Sequence, residues 1–136
     1  MPPMTVRSKE FRYAIDLREG GEIRTEDGTA LAVDAAWTPE HLLLAALVRC
    51  SLESFSYHAR RRSIRLEGAT GTARAVVTRR ESDGRYAVTE CELDLDLHVV
   101  PLPGELELAE LIGLAERDCF IGASLTVKPL YVWTTN

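Results

Sequence analysis

Between Pro39 and Arg62 the sequence runs without a glycine, and with no proline beyond its first position. Thr38-Pro39-Glu40 reads as a helix start. Threonine caps the first free amides, proline is tolerated at the first helical position, and a carboxylate meets the positive end of the helix dipole. Uninterrupted to about Arg62, the helix reaches roughly 36 Å, comparable with the diameter of a small domain. Leu42 to Val48 are apolar on every side, whereas Arg60-Arg61-Arg62 returns the end to water. A helix this apolar in its first half belongs at the centre of a fold, and 136 residues in thin layers have little with which to cover it. The expectation is a central helix completed by a second copy of the chain, in a homodimer.

The rest of the chain supplies strands. Thr5 to Leu17 alternates around Phe11, Tyr13, Ile15 and Leu17 and predicts a first strand. Arg18-Glu19-Gly20-Gly21 is a turn, Glu22 to Thr25 extends a hairpin, and Glu26-Asp27-Gly28 turns again into an extended run from Ala30 to Ala36. After the helix, Ser63 to Arg80 and Arg85 to Val100 flank the turn Glu81-Ser82-Asp83-Gly84 and form a long hairpin. Its second strand places Ala87, Thr89, Cys91, Leu93, Leu95, Leu97 and Val99 on one face, and Glu90, Glu92, Asp94, Asp96 and His98 on the other. Past Pro101-Leu102-Pro103-Gly104, the helical spacing of Leu108, Leu111, Ile112, Ala115 and Cys119 predicts a second buried helix from Glu105 to Asp118. Leu125 to Thr134 closes the chain as a strand. The order is βββ-α-ββ-α-β. This is an α+β fold of antiparallel sheets around two buried helices, in a single domain over residues 1–136.

A net charge of -5, with 16 Lys+Arg against 21 Asp+Glu, leaves no basic excess for phosphates, so nucleic acid is not an expected partner. No apolar run approaches the roughly 20 residues that cross a bilayer, and Met1 to Glu10 lacks the apolar stretch of a secretory signal, so no membrane association is expected and the cytosol is the expected compartment. Cys50, Cys91 and Cys119 are an odd count without CxxC spacing, and His41, His58 and His98 are scattered, which argues against a disulfide framework and gives a metal site little support. Cys91 shares an apolar strand face and reads as core. The acidic alternation from Glu90 to Asp96 reads as a solvent face and does not match a calcium loop. A cysteine such as Cys50, in an apolar helix, is ordinarily a small buried hydrophobe. Cys119, Arg18 and Glu40 are the groups that change those odds.

Pro39-Glu40-His41-Leu42-Leu43-Leu44-Ala45-Ala46-Leu47-Val48-Arg49-Cys50 resembles the Pro-Glu-x-Leu and small-apolar run that ends in the peroxidatic cysteine of the OsmC/Ohr family, the osmotically inducible and organic hydroperoxide resistance proteins. Ala115 to Leu125 resembles that family's second cysteine segment, and Arg18 to Gly28 its early loop with an active-site arginine. The resemblance covers nearly the whole chain. It implies an OsmC-like fold with two intertwined subunits and an active site at each end of their interface. By position it implies Cys50 as peroxidatic thiol, Cys119 as resolving thiol, Arg18 as the cation that stabilises the thiolate, and Glu40 as the carboxylate that orients it. A hydroperoxide substrate, an external thiol as reductant and no metal, flavin or haem cofactor complete the implication. Two departures stand out: Phe120-Ile121-Gly122 follows the second cysteine where the best-known members have Pro-Val-Ser, and the glycine-rich stretch before the long helix is reduced to Asp34-Ala35-Ala36-Trp37.

Physical chemistry sets conditions on that mechanism. Only a thiolate attacks a peroxide, and Cys50 lies too deep in its helix for the dipole to help, while apolar surroundings raise its pKa. Arg49 points about 100° away around the helix, which leaves Arg18, with Arg24 as fallback. Glu40 lies about 15 Å from Cys50 along the axis, so it acts through a long intermediary or enters from a second chain, unless it serves only the helix start. His41 reads as a helix-surface or dimer-contact residue or an aid to proton transfer, and Arg60 to Arg62 as complements to a helix C-terminus. Phe11, Trp37, Phe55, Tyr57 and Phe120 are core by default, or the lining of an apolar pocket for organic peroxides. The expected function is a cysteine-based hydroperoxide reductase. The alternatives are a non-catalytic module of the same fold that binds an apolar ligand or senses oxidation, and a purely structural dimerisation module.

Overall fold

The computed structural model describes residues 8–136, in two compact units divided between Trp37 and Thr38. In the first unit, β1 (Ile15–Leu17), β2 (Glu22–Thr25) and β3 (Ala30–Ala32) form an antiparallel sheet in that order. The turn between β1 and β2 uses Gly20 and Gly21 at φ 87° and 85°, in the left-handed region that favours glycine. The first strand is shorter than the expected Thr5 to Leu17, of which residues 5–7 lie outside the described residues. The ladder stops where the Ala14 N–H takes the Glu26 carboxylate, at 3.3 Å, in place of a backbone carbonyl. The third strand ends at Ala32, before the expected Ala36, because Asp34 starts a turn: its side chain accepts from Ala36 N–H and its carbonyl from Trp37 N–H.

The second unit opens with α1 (Pro39–Arg60), capped reciprocally by Thr38 and His41: the His41 N–H donates to Thr38 Oγ1 and the Thr38 N–H to His41 Nδ1. His41 is therefore the partner in a helix cap, a use that its exposed position in the sequence pattern did not suggest. The helix closes through Ser63, which sits at φ 58° with the Ile64 N–H bonded to the Ala59 carbonyl. The long hairpin follows as β4 (Arg65–Arg79) and β5 (Tyr86–Val100), then α2 (Glu105–Arg117), α3 (Phe120–Ala123) and β6 (Leu130–Thr135). The α3 turn was not expected. β6 starts five residues later than expected, directly after Pro129, which has no amide to give to a ladder.

The second sheet has the order β4-β5-β6, with β4 and β5 antiparallel but β5 and β6 parallel, Leu93 facing Tyr131 and Leu95 facing Trp133. That corrects the expectation of wholly antiparallel sheets. The helical connection through α2 and α3 carries the chain back to the end from which β5 set out. Cys91, Leu93, Leu95, Leu97 and Val99 are all buried, and they join Leu47, Phe55, Ala59, Leu111, Ala115 and Cys119 in one core between sheet and helices. The acidic side chains of the opposite face remain in water, Glu92 partly.

The burial of α1 also differs from expectation. One stripe, Leu47, Ser51, Phe55 and Ala59, is fully buried, while Leu42, Leu43, Leu44, Ala46 and Val48 are half-buried and Ala45 is exposed. In a single chain the apolar first half of this helix is covered on one side only. No helix among the described residues is long and apolar enough to cross a membrane.

Candidate functional site

The helix stripe that faces the core carries the second unit's chemistry to one place. Cys50 stands beside that stripe and is half-buried, whereas Cys119, just after α2, is fully buried. The short α3 turn joins the two. The Ile121 N–H points at Cys50 Sγ at 3.5 Å, and the next amide, Gly122 N–H, points at Cys119 Sγ at 3.4 Å. Cys119 is also the N-cap of α3, a position in which its sulfur satisfies an otherwise free amide. Burial pushes the Cys50 thiol up. The Ile121 and Phe120 backbone amides oppose that shift, while the hydrogen bond and charge of the neighbouring Cys119 add to it.

Ser51 was not anticipated. It is wholly buried and hydrogen-bonded, its hydroxyl lying 2.8 Å from the Leu47 carbonyl, 2.8 Å from the Tyr131 hydroxyl and 3.6 Å from Cys119 Sγ. Tyr131, on β6, is held by stacking on Trp133 at 5.3 Å between ring centroids, and Trp133 stacks in turn on Phe55 at 5.7 Å. Burial, the largest influence, and the nearby Cys119 raise the Tyr131 hydroxyl to about 12, against the opposing effect of the hydrogen bond it shares with Ser51. Near neutral pH it is therefore a protonated donor. A polar residue at the 47-51-55-59 spacing of the buried stripe was the one signal in the sequence that could have exposed Ser51.

A cavity of about 570 Å³ opens between α2, α3 and the approach to β6, lined by Glu116, Gly122, Val127, Lys128 and Tyr131 among others. Burial pushes the Glu116 carboxyl up against the opposing influences of the Trp133 indole and the Lys128 ammonium. Burial is the largest of these influences, and the indole N–H is itself buried with no partner of good hydrogen-bond geometry among the described residues. None of the aromatics expected to line a pocket lines this cavity. Phe55 is core, Tyr57 is exposed with the Arg61 guanidinium 5.7 Å from its ring centroid, and Phe11, Trp37 and Phe120 are more than half exposed.

Glu40 is exposed in the first turn of α1, and ten residues of helix keep it about 15 Å along the axis from Cys50. Arg18 belongs to the first unit, where its Nε donates to Asp16 Oδ2 at 2.7 Å. Arg24, in the same sheet, pairs with Glu22. Arg49 is exposed and turned to Glu53, one helical turn on, at 3.4 Å. Cys91 lies in the core on β5 opposite Ala75, its thiol pushed up by burial and by the charge of Glu92.

A mixed α+β fold with a half-buried and a buried thiol side by side under consecutive amides defines a two-thiol protein of a particular architecture. The chain belongs to the OsmC-like protein family, whose profile matches residues 32–133. Solved structures carry the same fold, among them the following three. An OsmC-like protein of unknown function from Vibrio cholerae has 16% identity and a TM-score of 0.74, with 91% of this chain and 99% of that one covered. An organic hydroperoxide resistance protein from Legionella pneumophila has 18% identity and a TM-score of 0.64, with 93% and 99% covered. The organic hydroperoxide resistance protein OhrB of Bacillus subtilis has 20% identity and a TM-score of 0.58, with 91% and 98% covered. Comparison with curated protein sequences gives no match.

Proposed function

We propose that this chain is a thiol-dependent hydroperoxide reductase. The observation that carries the reading is the thiol pair: Cys50, half-buried, beside Cys119, fully buried, with adjacent amides of one turn aimed at the two sulfurs. The Cys50 thiolate attacks the terminal oxygen of the hydroperoxide. The O–O bond breaks, the alkoxide leaves and takes a proton to become the alcohol, and Cys50 becomes a sulfenic acid. The Cys119 thiol then attacks the Cys50 sulfur, forming the disulfide and releasing water. An external thiol in the reducing cytosol restores both cysteines. Partial access at Cys50 and full burial at Cys119 suit attack and resolution in that order.

In this reading Arg18 supplies the cation and Glu40 orients it. Cys50 needs such help because burial pushes its thiol up. The two units form one functional domain, and two copies of the chain form the working enzyme. Support for the second copy comes from the row Phe11, Tyr13, Ile15 and Leu17, each at least 60% exposed, and from the half-covered first half of α1.

Purified reduced protein with dithiothreitol is expected to consume cumene hydroperoxide faster than hydrogen peroxide. Cys50→Ser abolishes consumption, and Cys119→Ser allows one turnover and leaves a trappable sulfenic acid. Arg18→Ala slows the reaction most near neutral pH, with recovery as the pH rises and the thiolate forms unaided. Consumption that survives Cys50→Ser rejects the proposal. The raised Cys50 thiol also favours a second reading, a slow redox sensor or ligand-binding module, and protein inert to every hydroperoxide selects it.

A further inference from the structure

Cys119 is fully buried, and the Ser51 hydroxyl, which has no part in the mechanism above, lies against it with the Tyr131 hydroxyl behind. The Ser51 hydroxyl has one hydrogen and two lone pairs. While its hydrogen goes to the Leu47 carbonyl at 2.8 Å, it can accept from the Tyr131 hydroxyl at 2.8 Å and from the Cys119 thiol at 3.6 Å. If the Cys119 sulfur becomes an anion, the same hydrogen can turn to the sulfur. Tyr131, locked by its stacking on Trp133 and still protonated, then donates to Ser51 Oγ from behind. Together with the Gly122 N–H, this gives a buried sulfur anion two donors of its own without any cation.

We propose that Ser51 is a catalytic residue of the reductive half-reaction, donating to Cys119 Sγ as it leaves, and that Tyr131 is a positioning residue acting through Ser51. The inference rests on the two-thiol reading above and adds to it the direction of recycling. An external thiolate attacks Cys50 Sγ, the accessible sulfur. A mixed disulfide forms on Cys50 as the Cys50–Cys119 bond breaks, and the bonding pair departs with Cys119 Sγ, which is held as thiolate by Ser51 and Gly122 until it takes a proton. A second external thiol, or the second arm of a dithiol, then attacks the mixed disulfide and frees Cys50, so one dithiol is oxidised for each protein disulfide reduced.

The test needs no peroxide. Protein with Cys91→Ser is oxidised with diamide, the Cys50–Cys119 disulfide is verified by peptide mapping, and its reduction by dithiothreitol is followed by gel shift. Ser51→Ala is expected to slow reduction about tenfold, the loss of one donor to a developing buried anion. Tyr131→Phe, nearly isosteric, slows it a few-fold. The double variant is slower than Ser51→Ala alone by less than the Tyr131→Phe factor, because Tyr131 acts on Cys119 mainly through Ser51. Alkylation of Cys50 by iodoacetamide in the reduced variants stays at the parent rate, which loosened packing would not allow. Reduction of Ser51→Ala within twofold of the parent overturns the proposal, as does an additive double variant or a parallel change in Cys50 alkylation. If Ser51→Ala fails to fold, Tyr131→Phe decides alone. Failure of diamide to form the disulfide also overturns it, whereas disulfide chemistry as described in a protein inert to hydroperoxides removes the peroxidase reading and leaves this inference standing.

Discussion

Two glycines of β4 should respond to alanine with opposite signs. Gly71 faces Leu95 across the β4–β5 ladder, and a Cβ built on it would stand 2.5 Å from the Asp94 carbonyl oxygen, 2.8 Å from Leu95 Cδ2 and 3.2 Å from Leu95 Cα. Two of those atoms are backbone and cannot rotate away, and the third belongs to a side chain with no exposed surface. Relief requires β4 to part from β5 there. Overpacking of this kind costs about 1–3 kcal/mol, against about 0.4–1 kcal/mol gained from a stiffer unfolded chain. The net loss for Gly71→Ala is about 1–2 kcal/mol, roughly 4–8 °C in Tm for a domain of this size. At Gly68, by contrast, a Cβ meets nothing within 4 Å, so Gly68→Ala keeps only the gain, about 0.4–1 kcal/mol. Urea unfolding followed by circular dichroism measures both. Equal effects, or a stable Gly71→Ala, would show that the register of β4 on β5 is wrong. Because Leu95 is also paired to Trp133 on β6, the loss at Gly71 should be accompanied by a weakened near-ultraviolet signal from the Trp133 stack.

Ser63 ends α1 in the left-handed region at φ 58°, where a side chain costs about 1–2 kcal/mol, so Ser63→Gly should raise the urea midpoint by about 1 kcal/mol of stability. At Gly122 an added Cβ would make only ordinary contacts, 3.5 Å from Cys119 Sγ and 3.7 Å from Leu47 Cδ1, so Gly122→Ala should fold within about 0.5 kcal/mol of the parent and still form its disulfide with diamide. The Asp118 carboxyl is held below its ordinary value by Arg117 first and by His58 as well. With the folded value depressed, its contribution is present above the unfolded value and is lost as the pH falls through the folded one. Acid unfolding of Asp118→Asn should therefore begin with less stability near neutrality and lose less between pH 5 and 2, and a curve parallel to the parent's would exclude Asp118 from the acid response.

The legible parts of the sequence were those whose signal is local and periodic. β5 was readable because strict alternation leaves one arrangement, and all five of Cys91, Leu93, Leu95, Leu97 and Val99 are buried as that arrangement demands. α1 was readable because nothing interrupts it. Its burial was not, since an apolar surface says that cover is needed without saying which molecule provides it. α3 escaped because four residues carry no period, and because a cysteine is an unusual cap. Cys50 and Cys119 could be paired through the family resemblance, whereas nothing local connected Ser51 with residues 68 and 80 positions further on. The direction of β6 was hidden for a related reason: it depends on where a helical connection deposits the chain, which the strand's own residues do not encode.

The raised Cys50 thiol and the uncovered apolar surface bear on one another. Within the second unit the sulfur has neutral donors only, and no cation joins the hydrogen-bonding and charged groups that set its titration. Neutral amides offset part of the desolvation of a thiolate, but the shift remains upward, so burial outweighs them. Covering the first half of α1 with a second copy, as proposed, would remove still more water from around Cys50 and add to that penalty. A cover without a cation would therefore silence the thiol. The proposed assembly can be reactive only if the surface that closes over α1 also brings a positive charge, which is the physical reason for assigning Arg18 to the site, although in the single chain it is bonded to Asp16. In the proposed assembly Asp16 and Glu40 would compete for the same guanidinium, and the outcome would decide whether the arginine remains in its own loop or is turned toward the sulfur.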